Sequence, residues 1–435
     1  MSFRLAVTAA VLVSLGIAAD KPLTEDQRRL NVESFEHVWT TVRDRHWDPK
    51  TNGVDWQAVH DELRPKLEKA KTMDEARAVM SDMLSRLHET HFAIEPADLY
   101  DDLGSDDAEP GKEKPSREGN PGITLRVIDG RALVTEVDAD SPAARAGVKP
   151  GWEIVKADGK PVAPRLKKIQ AKFATSTLLD ILSERSVASL LTGPSGSGVK
   201  ITFTNGDNKP VDLTLDRVKP RGVTAIFGNL PPMNFWVESK KVRPDIGMVR
   251  FNIFFQPDQL IKSVQDMVGA CRDCTGMIID LRGNPGGIGA LAMGLAGWFT
   301  EKGGQQLGTM ITRESKLNFV IFPRPKPFRG PVAVLVDGCS GSTSEIFAGG
   351  MKDIGRARIF GTRTAGAALP SVFERLPNGD GFQYAIANYI SSGGKQLEGS
   401  GVIPDEQVKL TRQALLAGHD PVLEAAVAWI EPQKK

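Results

Sequence analysis

The chain is poor in several things, and each shortage removes a class of protein. It holds 3 Cys in 435 residues, so it is not a disulfide-stapled miniprotein. No residue type dominates and 40% of residues are hydrophobic, which argues against disorder and collagen-like repeats and leaves enough apolar side chain for a large core. A net excess of either charge is nearly absent as well. The 55 Lys+Arg against 54 Asp+Glu leave +1, with no general field to steer nucleic acid, so nucleic-acid partners are set aside. No apolar run reaches the ~20 residues that span a bilayer. Among 6 His there is no H-E-x-x-H and no paired ligand spacing, so neither a metal nor another cofactor is expected. At roughly 100 to 200 residues per domain, the length predicts about two to four domains.

What is present begins with an address. Met1-Ser2-Phe3-Arg4 supplies a positive end, residues 5–17 are apolar, and Ala18-Ala19 precedes Asp20 as a small-residue cleavage site. Residues 1–19 therefore read as a removable signal peptide, the alternative being an uncleaved anchor, for which the run is short. The mature chain is expected to be exported, to the periplasm or the outside. There Cys271 and Cys274 could form a local disulfide and Cys339 would stay single.

Residues 20–99 predict a helical domain. Thr24-Glu25-Asp26-Gln27 and Thr72-Met73-Asp74-Glu75 are capping boxes, and Phe35, Val38, Trp39 and Val42 share one helix face, as do Val79, Met80, Met83, Leu84 and Leu87 on another. Residues 100–121 are acidic, rich in Pro and Gly and poor in apolar residues, as in a linker. Residues 122–219 alternate short strands with turns. Gly193 to Lys200 invites a phosphate-loop reading, but Val199 displaces the lysine that must follow the last glycine, so the segment is read as a hairpin turn. Residues 220–435 alternate strands and helices, which predicts βαβ units around a mostly parallel sheet, with a late hairpin pairing 372–376 with 382–390. The whole is a multidomain α/β chain: a helical bundle, a β domain and an α/β core.

Four segments carry resemblances. The stretch Ser141-Pro142-Ala143-Ala144-Arg145-Ala146-Gly147-Val148-Lys149-Pro150-Gly151-Trp152 resembles a PDZ domain, which implies that Gly122, Ile123, Thr124 and Leu125 form the loop receiving a peptide carboxylate. In the core, an apolar strand over 332–336 runs into Ser340-Gly341-Ser342-Thr343-Ser344-Glu345 and then a helix, a junction that can hold a serine beside an oxyanion-stabilising N–H. With the segments around Asn284-Pro285-Gly286-Gly287 and Glu398-Gly399-Ser400-Gly401, the chain resembles the C-terminal processing (tail-specific) serine peptidases and their tricorn-core-like relatives. That resemblance implies Ser342 as nucleophile and the N–H groups of Gly287 and Thr343 as the oxyanion hole. Its substrates would be proteins or peptides with free C-termini, leaving oligomeric state and any activating partner unspecified.

One departure bears on mechanism. Ser-Lys members carry a lysine about twenty-five residues after the nucleophile, where this chain has Ala367. The tricorn-like branch offers another base, and the matching residues here are His91, preceded by Thr90, and the acid Glu398, giving a chemically complete Ser-His-acid set. His91 also stands 4 residues after Leu87 and 7 after Leu84, so it could instead continue a packed helix face, and His88 is a neighbouring competitor. Lys352 and Lys395 are distant substitutes for the missing lysine, and His37, His46, His60 and His419 lack a motif. Two other readings stay open: a proteolytically inactive homologue that binds peptides or hydrophobic ligands, and a scaffold in which the PDZ domain alone matters.

Overall fold

The computed structural model describes residues 22–97, 119–226, 228–230 and 232–431. The expected signal peptide and nearly all of the expected linker lie outside them. Among the described residues, no helix is long and apolar enough to cross a membrane.

The N-terminal region packs three helices, α1 (Glu25–Arg45), α2 (Trp56–Glu68) and α3 (Met73–Ser85), and ends in the short strand β1 (Ala93–Glu95). Both expected N-caps form: Thr24 accepts from the Gln27 N–H in a full capping box, and Thr72 accepts from the Glu75 N–H. Trp39 and Trp56 each donate an indole N–H to the other's carbonyl, which lets two large rings lie at the α1–α2 contact without an orphaned donor. Helix α3 stops at Ser85, so Thr90 and His91 lie beyond it. His88 and His91 both have positive φ, 56° and 61°, which no helix face allows. The reading of His91 as a continuation of the helix is thereby overturned.

The next unit has the sheet order β2-β3-β4-β6-β7, with β2 (Ile123–Ile128) at one edge beside β3 (Arg131–Val137), followed by α4 (Pro142–Arg145), β4 (Glu153–Ala157) and β5 (Lys160–Pro161). Pairing begins before β2, since Gly119 bridges Gly193 and Asn120 bridges Val218. Two helices then cover the sheet, α5 (Val162–Phe173) and α6 (Leu179–Leu191), before β6 (Gly198–Thr204) and β7 (Pro210–Asp216). The turn at 193–197 therefore joins a helix to a strand and is not a hairpin. Ser183, Ser186, Val187, Leu190 and Leu191 face inward on α6, two of the five being serines, which hides its helical period in the sequence.

The rest of the chain opens with β8 (Val223–Ala225), β9 (Met233–Phe235), β10 (Val237–Arg243) and β11 (Ile246–Phe251), then α7 (Pro257–Ala270), β12 (Gly276–Asp280) and α8 (Gly289–Ala296). After β13 (Gln306–Thr312) and β14 (Lys316–Val320) come β15 (Val332–Val336), α9 (Thr343–Asp353) and β16 (Arg358–Gly361). The chain finishes with β17 (Ser371–Arg375), β18 (Gly381–Ala385), β19 (Ala387–Ser391), β20 (Glu406–Gln407), α10 (Arg412–Leu416) and α11 (Pro421–Ile430). The central sheet runs β10-β11-β12-β15-β16-β20, parallel except for β10 against β11, as the alternation predicts. Cys271 and Cys274, after α7, are joined in a disulfide, and Cys339 is free and buried.

The late hairpin departs from expectation. It forms between β17 and β18, but the run to residue 390 is not one strand: β19 pairs with β13 in another sheet. Ile386 marks the break, its N–H donating to Pro370 rather than to either ladder. This split joins the two ends of the chain. β1 adds to β18, and Leu376, Phe382 and Tyr384 of the hairpin region share a core with Phe35, Leu63, Met80 and Phe92 of the helical bundle. The buried Asp380, bonded to Arg77 and to the Ala97 N–H, fixes the same seam.

Candidate functional site

Strand β15 is buried at every position and delivers the chain to a tight turn before α9. Ser342 is the N-cap, with φ 51° and ψ −118°, a conformation that costs a non-glycine residue on the order of 1–3 kcal/mol and persists only when its surroundings enforce it. Several bonds do so. The Ser342 N–H donates to the Ala367 carbonyl (2.7 Å) and to Glu345 Oε2 (3.0 Å), while Gly341 N–H and the Ser344 hydroxyl both donate to the Asn284 carbonyl. Asn284 itself is fully buried and donates through Nδ2 to the Phe251 carbonyl.

Gly286 and Gly287 lie against this turn at φ 110° and 129°. A Cβ on Gly286 would stand 2.6 Å from Ser342 Cβ, and one on Gly287 2.4 Å from the Phe254 carbonyl oxygen, so only glycine permits the approach. The bridge between Phe254 and Gly287 uses the Gly286 carbonyl and the Ile288 N–H, which leaves the Gly287 N–H out of it. The Gly287 carbonyl accepts from the Thr343 hydroxyl at 2.7 Å, tying the two segments together. Thr343 is the first residue of α9, where a backbone N–H has no intrahelical acceptor.

Glu345 escaped the reading of the sequence as a site residue, although Ser342-Thr343-Ser344-Glu345 spells a capping box. It is fully buried and accepts from Ser342 N–H, Gly366 N–H, Ala367 N–H and the Thr364 hydroxyl. Burial pushes its pKa up to about 7, against those donors. The carboxyl stitches the serine turn to the segment over 364–367, where Ala367 stands in the position expected of a lysine in Ser-Lys enzymes. Lys352 and Lys395 do not fill that role. Lys352 sits in the last turn of α9, roughly 15 Å along the helix from its start, bonded to the Ile403 carbonyl and Asp405, and Lys395 pairs with Asp353 at the same end.

On the other side of the 364–368 segment lies the turn carrying His91. Glu398 Oε1 accepts from the Thr90 N–H (2.8 Å), and Oε2 accepts from the Thr90 hydroxyl (2.9 Å) and the Ala368 N–H (3.0 Å). The Thr90 hydroxyl also lies 2.8 Å from His91 Nδ1. Burial pushes the Glu398 pKa up to about 7 against these donors, and burial with the nearby Arg185 cation pushes His91 down to about 4. One hydroxyl proton serves two neighbours, so the charge on Glu398 sets the histidine tautomer. With Glu398 ionised, Thr90 donates to it and accepts from Nδ1–H, leaving the Nε2 lone pair free to take a proton. With Glu398 protonated, the relay can reverse and place the proton on Nε2. Among the described residues no hydrogen bond joins the His91 ring to Ser342 Oγ; such contacts are often long before substrate is bound.

Three known domain patterns match the chain in order: the Tricorn protease C1 domain over residues 31–85, a PDZ domain over 119–176, and Peptidase family S41 over 245–408. The core is a family S41 peptidase domain. Carboxyl-terminal-processing peptidase 3, chloroplastic, of Arabidopsis thaliana is 26% identical, covering 93% of this chain and 76% of that protein. The carboxy-terminal-processing protease of Bartonella bacilliformis is 26% identical over 70% of this chain and 64% of its own length. Tricorn protease homolog 1 of Streptomyces coelicolor is 27% identical over 91% of this chain, which spans only 34% of it. Among solved structures, the photosystem II D1 C-terminal processing protease superposes with a TM-score of 0.56 at 21% identity, covering 92% of this chain and 99% of that one. Mature CPAF gives 0.64 at 14%, covering 93% and 97%. At those identities the likeness carries the fold.

The PDZ domain meets the S41 domain beside the serine turn. Arg126, on β2, donates to Asp337 Oδ2 at 2.7 Å, and Asp337 Oδ1 accepts from the Gly283 and Cys339 N–H groups. A cavity of about 220 Å³ lies at this seam, with Arg126, Val127, Asp180, Cys339 and Lys409 among its walls. In the segment expected to receive a peptide carboxylate, Gly122 adopts φ 80° and its N–H is already taken by the Asn120 side chain, while Ile123, Thr124 and Leu125 form the start of the edge strand.

Proposed function

We propose that the chain is an exported serine endopeptidase of the C-terminal processing kind, with domains at 20–99, 122–219 and 220–435 and with Ser342 as nucleophile and His91 as general base. The observation that carries this reading is the Thr90 hydroxyl, within hydrogen-bond distance of both His91 Nδ1 and Glu398 Oε2, which supplies the orienting partner a histidine base needs in a chain without the dyad lysine. Ser342 Oγ attacks the scissile carbonyl while its proton passes to His91 Nε2. The oxyanion is held by the N–H groups of Gly287 and Thr343. His91 then protonates the leaving amine, and water, activated by the same ring, cleaves the acyl-enzyme.

The PDZ domain supports a preference for substrates with a free C-terminus. A tail added along the open edge of β2 would place its carboxylate at the amides of residues 123–125. Removal of residues 1–19 on export completes the reading.

The test is intact-mass labelling of the mature protein with a fluorophosphonate, beside cleavage of a peptide with a free or amidated C-terminus. One adduct on the wild type, absent in Ser342→Ala, and slower cleavage of the amidated peptide are expected. An unlabelled but folded wild type would favour the inactive peptide-binding homologue, which the alanine at position 367 suggests.

A further inference from the structure

The turn that carries Thr90 and His91 bends through two left-handed residues, His88 and His91, and between them Glu89 turns its side chain inward. Its carboxyl is 8% exposed and does not face solvent. Oε2 lies 2.8 Å from His46 Nε2 and Oε1 accepts from Trp47 Nε1 at 3.0 Å. His46 is itself completely buried at the end of α1, its Nδ1 beside the carbonyl (2.8 Å) and N–H (3.1 Å) of Asp48, and its ring stacks on Phe92, the residue after His91. A helix end 43 residues away in sequence thus supplies a fitted seat for one side chain of the turn.

We infer that Glu89 is a positioning residue for catalysis, clamped by His46 and Trp47 so that Thr90 and His91 stay aligned on Glu398 and Ser342. This rests on the reading of His91 as the base. Two non-glycine residues in the left-handed region hold the turn under strain, and a turn under that load relaxes when its anchor is removed. The cost of a displacement near 1 Å at a catalytic group is on the order of 100-fold in rate. Glutamine at position 89 could keep both bonds: its Oε1 accepts from Trp47, and its amide donates to His46 Nε2 once the His46 proton moves to Nδ1 and bonds the Asp48 carbonyl. The seat therefore requires an acceptor and a reachable partner for His46, not a charge.

The experiment measures the rate of Ser342 acylation by a fluorophosphonate, at saturating probe and per folded molecule, in Glu89→Ala, Glu89→Gln, His91→Ala and the double variant Glu89→Ala/His91→Ala. A slowing of about 100-fold is expected for Glu89→Ala with unchanged probe affinity, and a rate within about 3-fold of wild type for Glu89→Gln. The double variant is expected to be no slower than His91→Ala, because Glu89 acts only through the ring. Trp47→Phe, which removes one of the two bonds and conserves bulk, gives an intermediate slowing if Glu89→Ala does not fold. Normal acylation in Glu89→Ala beside a slow His91→Ala would overturn the inference alone, as would equal losses in the Ala and Gln variants or an additive double variant. Wild-type acylation in His91→Ala would instead overturn the reading on which it rests.

Discussion

The serine turn and the histidine turn sit on either side of one segment, residues 364–368, yet they are held by different kinds of structure. The serine turn follows a strand buried at every residue, leads into an eleven-residue helix and is filled by Asn284, Glu345 and two glycines of the S41 domain. The histidine turn has no helix of its own. Its links to the acid side are bonds between Thr90 and Glu398, 308 residues apart, and its other supports are the seat of Glu89 on His46 and Trp47 and a short strand added to β18. A nucleophile can be held by its local chain, whereas the proposed base depends on the docking of an N-terminal domain against a C-terminal hairpin.

Substitutions sharpen this contrast, the largest effect being expected at the serine turn. In Gly286→Ala the new methyl has no room beside Ser342 Cβ, and acylation should fall by about 100-fold or more, since losing one oxyanion donor alone typically costs that much. Comparable labelling of this variant and wild type would show that the loop yields. On the histidine side, Thr90→Val deletes the hydroxyl relay while keeping shape and the backbone bond to Glu398. Its turnover should fall roughly 10- to 100-fold, less than the loss of the base itself because the ring remains, and Thr90→Ser should restore it. If Val and Ser behave alike, the relay is not used.

The pH profile gives a smaller but more specific comparison. On the proposed mechanism, activity needs neutral His91 and ionised Glu398. His91, lowered to about 4, sets no limb near neutrality, whereas Glu398, raised to about 7, does. The acylation rate should therefore rise with pH through about 7 in the wild type, and Glu398→Gln should lose that limb along with part of the rate. A limb that survives in Glu398→Gln would move the assignment to another group, Glu345 being the first to examine. The smallest effect is expected far from both turns. Replacing Cys271 and Cys274 together removes a bridge that closes a very short loop, costing about 2 kcal/mol or less of stability and leaving acylation unchanged.

The same contrast governs what could be read from the sequence. The strand, turn and helix around Ser342 are contiguous, and the range over 332–336 matches the observed strand because it is an unbroken apolar run, while 358–361 matches around the apolar pair Ile359-Phe360. Glu345 was within reach through its capping-box spacing. The histidine side was less legible. The break at Ile386 depends on which of two sheets each half of a strand joins, and periodicity does not carry that choice. The end of α3 at Ser85 was hidden because Leu87 is buried just as a helical residue would be, although it lies past the helix. Family resemblance, not spacing, pointed to Thr90, His91 and Glu398. The seat made by His46 and Glu89 has no sequence signature at all, since it joins residues 43 apart through a buried contact.

The most direct measurement of the central claim is the acylation rate of His91→Ala, with and without imidazole in solution. The account predicts a loss of roughly 100- to 10,000-fold, the range for a removed general base, and a partial return of rate as imidazole enters the vacated space. Acylation of His91→Ala at the wild-type rate would contradict it.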